Sequence, residues 1–299
     1  MYDFNSYTEA FSIDEAVRAL AGNTNARVIA GGTDVLVKLR SRDAAFVGRD
    51  MVGITRIPGF KGVSVDTAGV ITIGPAASFT QLENDKTVTQ CLASLATAAG
   101  SVGGPQIRNM GTIGGNLCNG ATSADTAAVL LTYNATLVIH DNWSTQEIPL
   151  SQFHLGPGSV RLGQSQLLTA IKIDRADYEG YRGSYIKFAV RQAMDIATLG
   201  CAVLIKVSGN TIEDLRIAFG VAGPTPLRAA SAEQFAVGRP VNDDTLTQIG
   251  QKCLENTKAR DSWRAAKAFR EQLITVLPQR AITQAMLLNE YTKGGDGNA

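Results

Sequence analysis

The chain has 299 residues, 44% of them hydrophobic and 18% charged, the composition of an ordinary soluble globular protein with room for two cored domains. Its 28 basic and 27 acidic side chains nearly cancel to a net charge of +1, and no dense Lys/Arg block appears, so nucleic acid and anionic membrane surfaces are excluded as partners. No apolar run approaches a bilayer-spanning length, and Met1-Tyr2-Asp3-Phe4-Asn5 lacks a basic stretch leading into an apolar one, so a cytoplasmic location is expected.

Ser12 predicts a helix start, with Glu15 three residues later and Ile13, Ala16, Val17 and Leu20 on one face, stopped by Gly22. Arg27 to Ala30 reads as a short strand entering a first glycine turn, Val28-Ile29-Ala30-Gly31-Gly32-Thr33-Asp34, with Thr33 placed to cap a helical turn through Val35, Leu36 and Leu39. Between Met51 and Pro75, β-type runs such as Val70-Ile71-Thr72-Ile73 alternate with Gly and Pro, and Thr80-Gln81-Leu82-Glu83 predicts another capped helix. Leu92 to Ala99 reads as an alanine-rich helix ending at Gly100. A second glycine-rich loop follows, Gln106-Ile107-Arg108-Asn109-Met110-Gly111-Thr112-Ile113-Gly114-Gly115-Asn116, leading through Asn119 to Asp125 into an apolar helix, Thr126 to Leu131.

Thr136 to His140 and Leu167 to Ile173 read as strands, and the charged, tyrosine-rich residues 174–183 as a linker. Ser184 to Val190, Ala197 to Val207 and Ile212 to Val221 predict three strands, with Gly209-Asn210 as a turn. From Ser231 the pattern is helical: a helix capped by Thr245, one over Trp263 to Leu277 and another over Ile282 to Tyr291. The expected fold is α+β. Residues 1–176 form one domain with lobes about 1–55 and 56–176, residues 184–291 pair a three-stranded sheet with helices, and 292–299 form a disordered tail.

Each glycine turn follows an apolar stretch, bares backbone N–H groups beside a hydroxyl, and lacks the lysine of a nucleotide-hydrolysing loop. Burying the roughly two negative charges of a pyrophosphate costs several kcal/mol unless donors stand ready in fixed geometry, and glycine lets amides come close. The chain therefore reads as the holder of a phosphate-bearing cofactor. Gly31 and Gly32 give the approach, Thr33 adds a hydroxyl, and Asp34 accepts from a polyol hydroxyl or orients the turn; a plain strand-to-helix turn fits the same residues. Thr112, Gly114, Gly115 and Asn116 are denser, and their entropic cost favours function over the alternative of a tight bulge. Arg108 reads as a phosphate ligand or a salt-bridge partner, Asp125 as an acceptor or an acid serving the helix dipole, and Lys187 as a placed cation or a solvated strand lysine. Cys91, Cys118, Cys201 and Cys253 are scattered and read as buried apolar residues; with His140 and His154 the only histidines, no zinc, iron–sulfur or histidine-rich metal site is encoded.

From Asp3-Phe4 to Ser262-Trp263-Arg264-Ala265 the chain resembles the FAD-binding (medium) subunits of bacterial xanthine dehydrogenases, in the molybdenum hydroxylase family. The resemblance is carried by Ala30-Gly31-Gly32-Thr33-Asp34-Val35-Leu36, Gly104-Pro105-Gln106-Ile107-Arg108-Asn109, Gly114-Gly115-Asn116, Cys118-Asn119-Gly120-Ala121-Thr122-Ser123-Ala124-Asp125, His154-Leu155-Gly156-Pro157-Gly158, Met194-Asp195-Ile196 and Phe219-Gly220-Val221-Ala222-Gly223-Pro224-Thr225-Pro226. It implies a two-lobed FAD domain of the vanillyl-alcohol-oxidase/PCMH-like kind. In such a domain Val28, Ile29, Ala30, Gly31, Gly32, Thr33, Asp34 and Val35 line the FAD pyrophosphate and ribityl region, as do Thr112, Ile113, Gly114, Gly115 and Asn116. Val102, Ile107, Asn119, Thr122, Asp125, Leu168 and Lys187 fall at further cofactor positions, and residues 188–198 border the flavin's exposed edge.

Val102 stands where some eukaryotic relatives carry an aromatic residue, and Asp195 is what remains of their acidic loop. The implied role is electron transfer without catalytic side chains of its own. FAD would take electrons from the [2Fe-2S] clusters of an iron–sulfur subunit and pass them to NAD or another acceptor, while a molybdenum-cofactor subunit oxidises xanthine in purine catabolism. The alternatives are a self-contained FAD oxidoreductase and the same module serving an aldehyde or N-heterocycle hydroxylase.

Overall fold

A computed structural model of the chain describes residues 2–293. Its first lobe runs β1 (Ser6–Glu9), α1 (Ile13–Gly22), β2 (Ala26–Ile29), α2 (Val35–Arg40) and β3 (Asp50–Gly53). The strands are parallel in the order β1-β3-β2. Ser12 caps α1 as expected, its hydroxyl accepting the Glu15 N–H at 3.1 Å, and Ala16, Val17 and Leu20 bury against Val52 and Ile54. The Asp50 carboxylate, bonded by the side chains of Asn5, Ser6, Asn23 and Asn25, ties the starts of the strands together. Thr33 does not cap α2; Asp34 holds that position and makes no side-chain cap bond.

The second lobe runs β4 (Val63–Val65), β5 (Ile71–Ile73), α3 (Phe79–Asn84), α4 (Lys86–Cys91), α5 (Ala93–Gly100), α6 (Pro105–Met110), α7 (Ile113–Cys118), α8 (Asp125–Thr132), β6 (Thr136–His140), β7 (Thr145–Pro149), β8 (His154–Gly156), β9 (Ser159–Val160) and β10 (Leu167–Ile173). Five of these strands form an antiparallel sheet, β4-β5-β10-β6-β7. Strand β10 joins the lobes: Leu167 packs into the first lobe's core, and Leu168, facing the other way, packs into the second. Helix α3 begins earlier than predicted, because Ser78 rather than Thr80 has the extended backbone of a cap and forms a reciprocal box with Gln81. The second glycine segment is not a loop but two short helices. Pro105 opens α6 at its first turn, where its missing N–H costs nothing, and Thr112 caps α7.

The remaining elements are β11 (Arg182–Phe188), β12 (Leu199–Ser208), β13 (Thr211–Gly220), β14 (Leu227–Arg228), α9 (Ala230–Ala236), α10 (Asp243–Cys253) and α11 (Lys267–Lys293). The predicted three strands form an antiparallel sheet that the two-residue β14 extends to four. Side-chain alternation along β12 gives the sheet two buried faces: Cys201, Val203 and Ile205 pack with α9 to α11, while Ala202 and Leu204 pack with the second lobe. The stretch read as a linker is anchored, since Tyr178 donates to the Gly69 carbonyl and Arg216 binds Asp177 and the Thr132 carbonyl. Asn242, not Thr245, caps α10 by accepting the Thr245 N–H. The two predicted C-terminal helices are one: Pro278 lies inside α11, where it removes one helical hydrogen bond without ending the helix, and Trp263 precedes it. Thr292 and Lys293 belong to this helix, and the rest of the expected disordered tail, 294–299, lies outside the described residues.

Candidate cofactor site

Strand β2 ends at Ile29, and the chain turns through Ala30 to Asp34 before α2 begins. Gly32 sits at φ +73°, which only glycine adopts without strain. The amides of Gly31, Gly32, Thr33, Asp34 and Val35 donate to no protein acceptor among the described residues, although four of these five residues are half-buried. An amide left unpaired away from water costs about 1–3 kcal/mol, so a run of five persists only where solvent or an anion reaches it. Gly31 marks where the two glycine segments meet, because a Cβ on it would lie 1.6 Å from the Met110 carbonyl oxygen and 3.1 Å from the Gly111 nitrogen. A second tie closes the far end: Lys38 Nζ on α2 donates to Asn119 Oδ1, just past α7, at 2.8 Å.

The second segment plays a different part from the one its glycines predict. Ile113 N–H donates to Ala77 O at 3.0 Å, Gly114 N–H to Pro75 O at 2.8 Å, and Gly115 N–H to Thr112 Oγ1 at 3.2 Å, so these amides already have protein partners. Gly114 is glycine because a Cβ would lie 2.6 Å from both Cβ and O of Pro75. Asn116 Oδ1 accepts the Thr126 hydroxyl at 2.7 Å and fixes α7 to α8. This segment therefore forms a braced wall opposite the amides of the first turn. Val28 and Ile29 are half-buried on β2, an edge strand of the parallel sheet, and Ile107 is exposed on α6. Leu168 is brought to the junction of the lobes, but its side chain is in the core. Arg108 lies 3.4 Å from Glu83, the salt-bridge alternative.

Asp125 and Lys187 meet in a buried ion pair. Lys187 Nζ donates to Asp125 Oδ2 at 2.9 Å and to the Ser101 carbonyl at 3.0 Å, and Tyr185 Oη donates to Asp125 Oδ1 at 2.6 Å. The pair excludes both simpler readings, a solvated lysine and an acid serving only the helix dipole. Burial pushes the Asp125 carboxyl up, opposed by the Lys187 charge and by hydrogen bonds from Tyr185 and Lys187. Burial and the adjacent carboxylate hold the Tyr185 hydroxyl well above the ordinary phenol range. Tyr185 escaped the sequence reading, although the period of a strand places it on the same face as Lys187. Lys38 escaped it as well.

Residues 188–198 lean on the segment that carries Val102, with Met194 N–H donating to Gly103 O at 3.3 Å. Asp195 holds this loop by accepting the N–H groups of Arg191 and Ile196 at 3.0 and 2.8 Å. Beside it opens a cavity of about 340 Å³ lined by Thr122, Ser123, Ile196, Arg260, Trp263 and Arg264, among others. Trp263 is 85% exposed at this cavity, and its indole stacks against the Arg264 guanidinium.

Free main-chain donors where two α/β lobes meet, with a buried cation–carboxylate pair nearby, define a protein that holds an anionic dinucleotide. Residues 2–175 match the family described as the FAD binding domain in molybdopterin dehydrogenase, and residues 184–285 match the CO dehydrogenase flavoprotein C-terminal domain. The chain belongs to this family of FAD-binding oxidoreductase subunits of the molybdenum hydroxylases. It is 41% identical over 286 residues to the xanthine dehydrogenase FAD-binding subunit of Escherichia coli O157:H7, covering 96% of this chain and 97% of that one. It is 30% identical over 281 residues to the glyceraldehyde dehydrogenase medium chain of Sulfolobus acidocaldarius, covering 93% and 97%. Among solved structures, carbon monoxide dehydrogenase from Hydrogenophaga pseudoflava superposes with a TM-score of 0.90 at 26% identity, covering 96% of this chain and 99% of that one.

Proposed function

We propose that this chain is the electron-transfer subunit of a xanthine-oxidising molybdenum hydroxylase. It would receive electrons from the [2Fe-2S] clusters of an iron–sulfur subunit and deliver them to NAD or another acceptor, in the cytoplasm. A third subunit, carrying the molybdenum cofactor, would oxidise the substrate. The observation that carries this reading is the row of unpartnered amides from Gly31 to Val35, held against the second lobe at Gly31. The residues fit FAD: the amides suit its pyrophosphate, and the pair formed by Asp125 and Lys187 suits a ring that gains negative charge on reduction. When bound, FAD supplies a centre that accepts electrons singly and releases them in pairs.

The chain's own residues then bind, orient and exclude. Gly31 to Val35 hold the diphosphate, and Val28 to Ala30 bring the strand to it. Thr112 to Asn116, with Ile107 and Asn119, form the opposite wall, and Thr122 and Val102 border the ring's surroundings. Contact from Leu168 would come through its main chain. Lys187 presents a cation that favours the reduced cofactor, and Arg260 and Arg264 give the neighbouring cavity the positive charge that draws an anionic acceptor. On this reading residues 1–176 make the FAD-binding domain and 184–291 the domain that flanks the acceptor's entry. No helix among the described residues is long and apolar enough to cross a membrane.

The identity of 41% to a xanthine dehydrogenase subunit favours xanthine over the aldehyde chemistry of the 30% relative. The test is purification alone and with the two partner subunits. A yellow chain that turns over xanthine only in the complex supports the proposal. A chain that takes up no FAD refutes it, and one that oxidises NAD(P)H or substrate alone at the rate of the complex establishes a self-contained oxidoreductase. Turnover by the complex of aldehydes or other N-heterocycles in place of xanthine would reassign the substrate.

A further inference from the structure

Strand β11 carries Tyr185 two residues before Lys187, so both side chains leave the same face of the sheet. Both close on Asp125, the first residue of α8. Tyr185 is 5% exposed and Asp125 7%. The tyrosine is fixed by packing as well as by its hydrogen bond: Gly200 faces Lys187 across the strand pair, and a Cβ there would lie 2.7 Å from the Tyr185 hydroxyl oxygen. The carboxylate is thus gripped at both oxygens, by a buried hydroxyl lying close over Gly200 and by an ammonium that is itself tied to the Ser101 carbonyl.

We propose that Tyr185 is a positioning residue: its hydroxyl keeps Asp125 ionised with Oδ2 turned to Lys187, so that the ion pair stays closed and titration of Asp125 adds nothing to the pH dependence that proton uptake by the flavin itself gives the potential of bound FAD. The proposal rests on the reading of Lys187 as the cationic neighbour of the flavin. Burial alone drives Asp125 toward its protonated form, and the charge of Lys187 and the Tyr185 hydrogen bond oppose it. The Tyr185 hydroxyl, held far above the phenol range, remains a donor at any working pH. Without it the carboxyl loses a charge-assisted hydrogen bond that favours its ionised form, and it titrates at higher pH. A proton on Asp125 then leaves the Lys187 ammonium uncompensated beside the cofactor.

Few other groups can produce such a titration. Among the elements packed on α8, β12 contributes the buried Cys201 thiol, which burial holds well above its ordinary range and so keeps uncharged. From α7 come the neutral Asn116 amide, bonded to Thr126, and the Cys118 thiol, which burial pushes up to about 12 and so keeps uncharged, and the segment after α5 offers the Ser101 carbonyl. Arg216 of β13 and Arg228 of β14 reach the Thr132 and Leu131 carbonyls, at the far end of α8.

The experiment compares the full chain with Tyr185→Phe, which keeps the packed ring and removes only the hydroxyl. Two quantities are followed against pH: the isotope-edited infrared band of the protonated Asp125 carboxyl, read on flavin-free protein and identified by its loss in Asp125→Asn, and the midpoint potential of the FAD-loaded protein. The expected result in Tyr185→Phe is an infrared inflection about one to two pH units higher, together with a rise in potential toward acid pH that is steeper than the parent's around that inflection. Adding Tyr185→Phe to Asp125→Asn should leave the potential unchanged. An infrared inflection that stays in place overturns the proposal outright, as does an equal effect of Tyr185→Phe with and without Asp125. An inflection that moves while the potential keeps its profile overturns it through its premise, since the pair would then lie away from the flavin. The infrared titration needs no cofactor, so these failures are told apart.

Discussion

Substituting Gly31 by alanine tests the central geometry directly. The added Cβ would sit 1.6 Å from the Met110 carbonyl oxygen and 2.5 Å from its carbon, whereas real Cβ contacts essentially never fall below 3.0 Å. The two main chains must therefore part by about 1.4 Å, the difference between 1.6 and 3.0 Å, and neither side is a flexible side chain that can swing away. In the proposed binding mode such a displacement takes one or two amide-to-phosphate hydrogen bonds out of range, and at about 1.5–3 kcal/mol each FAD should bind at least about 10-fold more weakly. Overpacking adds about 1–3 kcal/mol of lost stability. The assay is flavin content after purification, followed by fluorescence titration of the stripped protein with FAD. Gly22→Ala, at the end of α1 with nothing within 4 Å of the new Cβ, is the control that should change neither quantity. Gly31→Ala protein that purifies fully flavinylated, with the affinity of the parent, would show that the contact between the segments does not shape the site.

Gly114→Ala should lower the melting temperature of flavin-free protein as much as that of loaded protein, because its Cβ would strike Pro75 rather than the cofactor's space; a loss confined to the loaded form would reverse that assignment. Lys187→Met should retain FAD but lower its midpoint potential, measured by dye-linked reduction, and an unchanged potential would remove the lysine from the flavin's surroundings. Burial lowers the His154 pKa from its ordinary 6.5 in the folded chain, where its ring bonds the Leu117 carbonyl. Its contribution to stability is therefore complete above about 6.5 and is lost as pH falls below that, when the unfolded chain takes up a proton the folded one resists. Urea midpoints should fall from neutral to mildly acid pH, and His154→Gln should flatten the fall; an equal fall in the variant would assign it to other groups.

Much of the fold was legible because its buried strands carry strong local patterns. The β-branched runs of β12 and β13 announced a sheet, and Ser12 with Glu15 announced α1. The errors cluster where several residues could play one part. Ser78 and Thr80 are both good caps, as are Asn242 and Thr245, and the choice falls to whichever has extended backbone, which the neighbouring turns determine. Residues 106–116 read as a loop because Gly111, Gly114 and Gly115 crowd the segment. They form helices because the Pro75 and Ala77 carbonyls, far away in sequence, accept the amides at the start of α7 and reward close approach at Gly114.

The candidate site shows the same limit from another direction. A glycine in a sequence signals that something comes close, but not what. At Gly32 the requirement is a positive φ, at Gly114 it is Pro75, and at Gly31 it is the main chain of the other segment. The segments share the work unequally: the first keeps its amides free, and the second, whose amides are committed, holds the first in place. Because β10 sends Leu167 into one lobe's core and Leu168 into the other's, the separation between the free donors and the braced wall is set by two hydrophobic cores meeting on one strand. In the proposed binding mode, the grip on the diphosphate thus depends on packing well beyond the glycine turns themselves. The site's charged half obeys a period instead: Lys187 was found as an isolated cation, and its strand register carried Tyr185 with it.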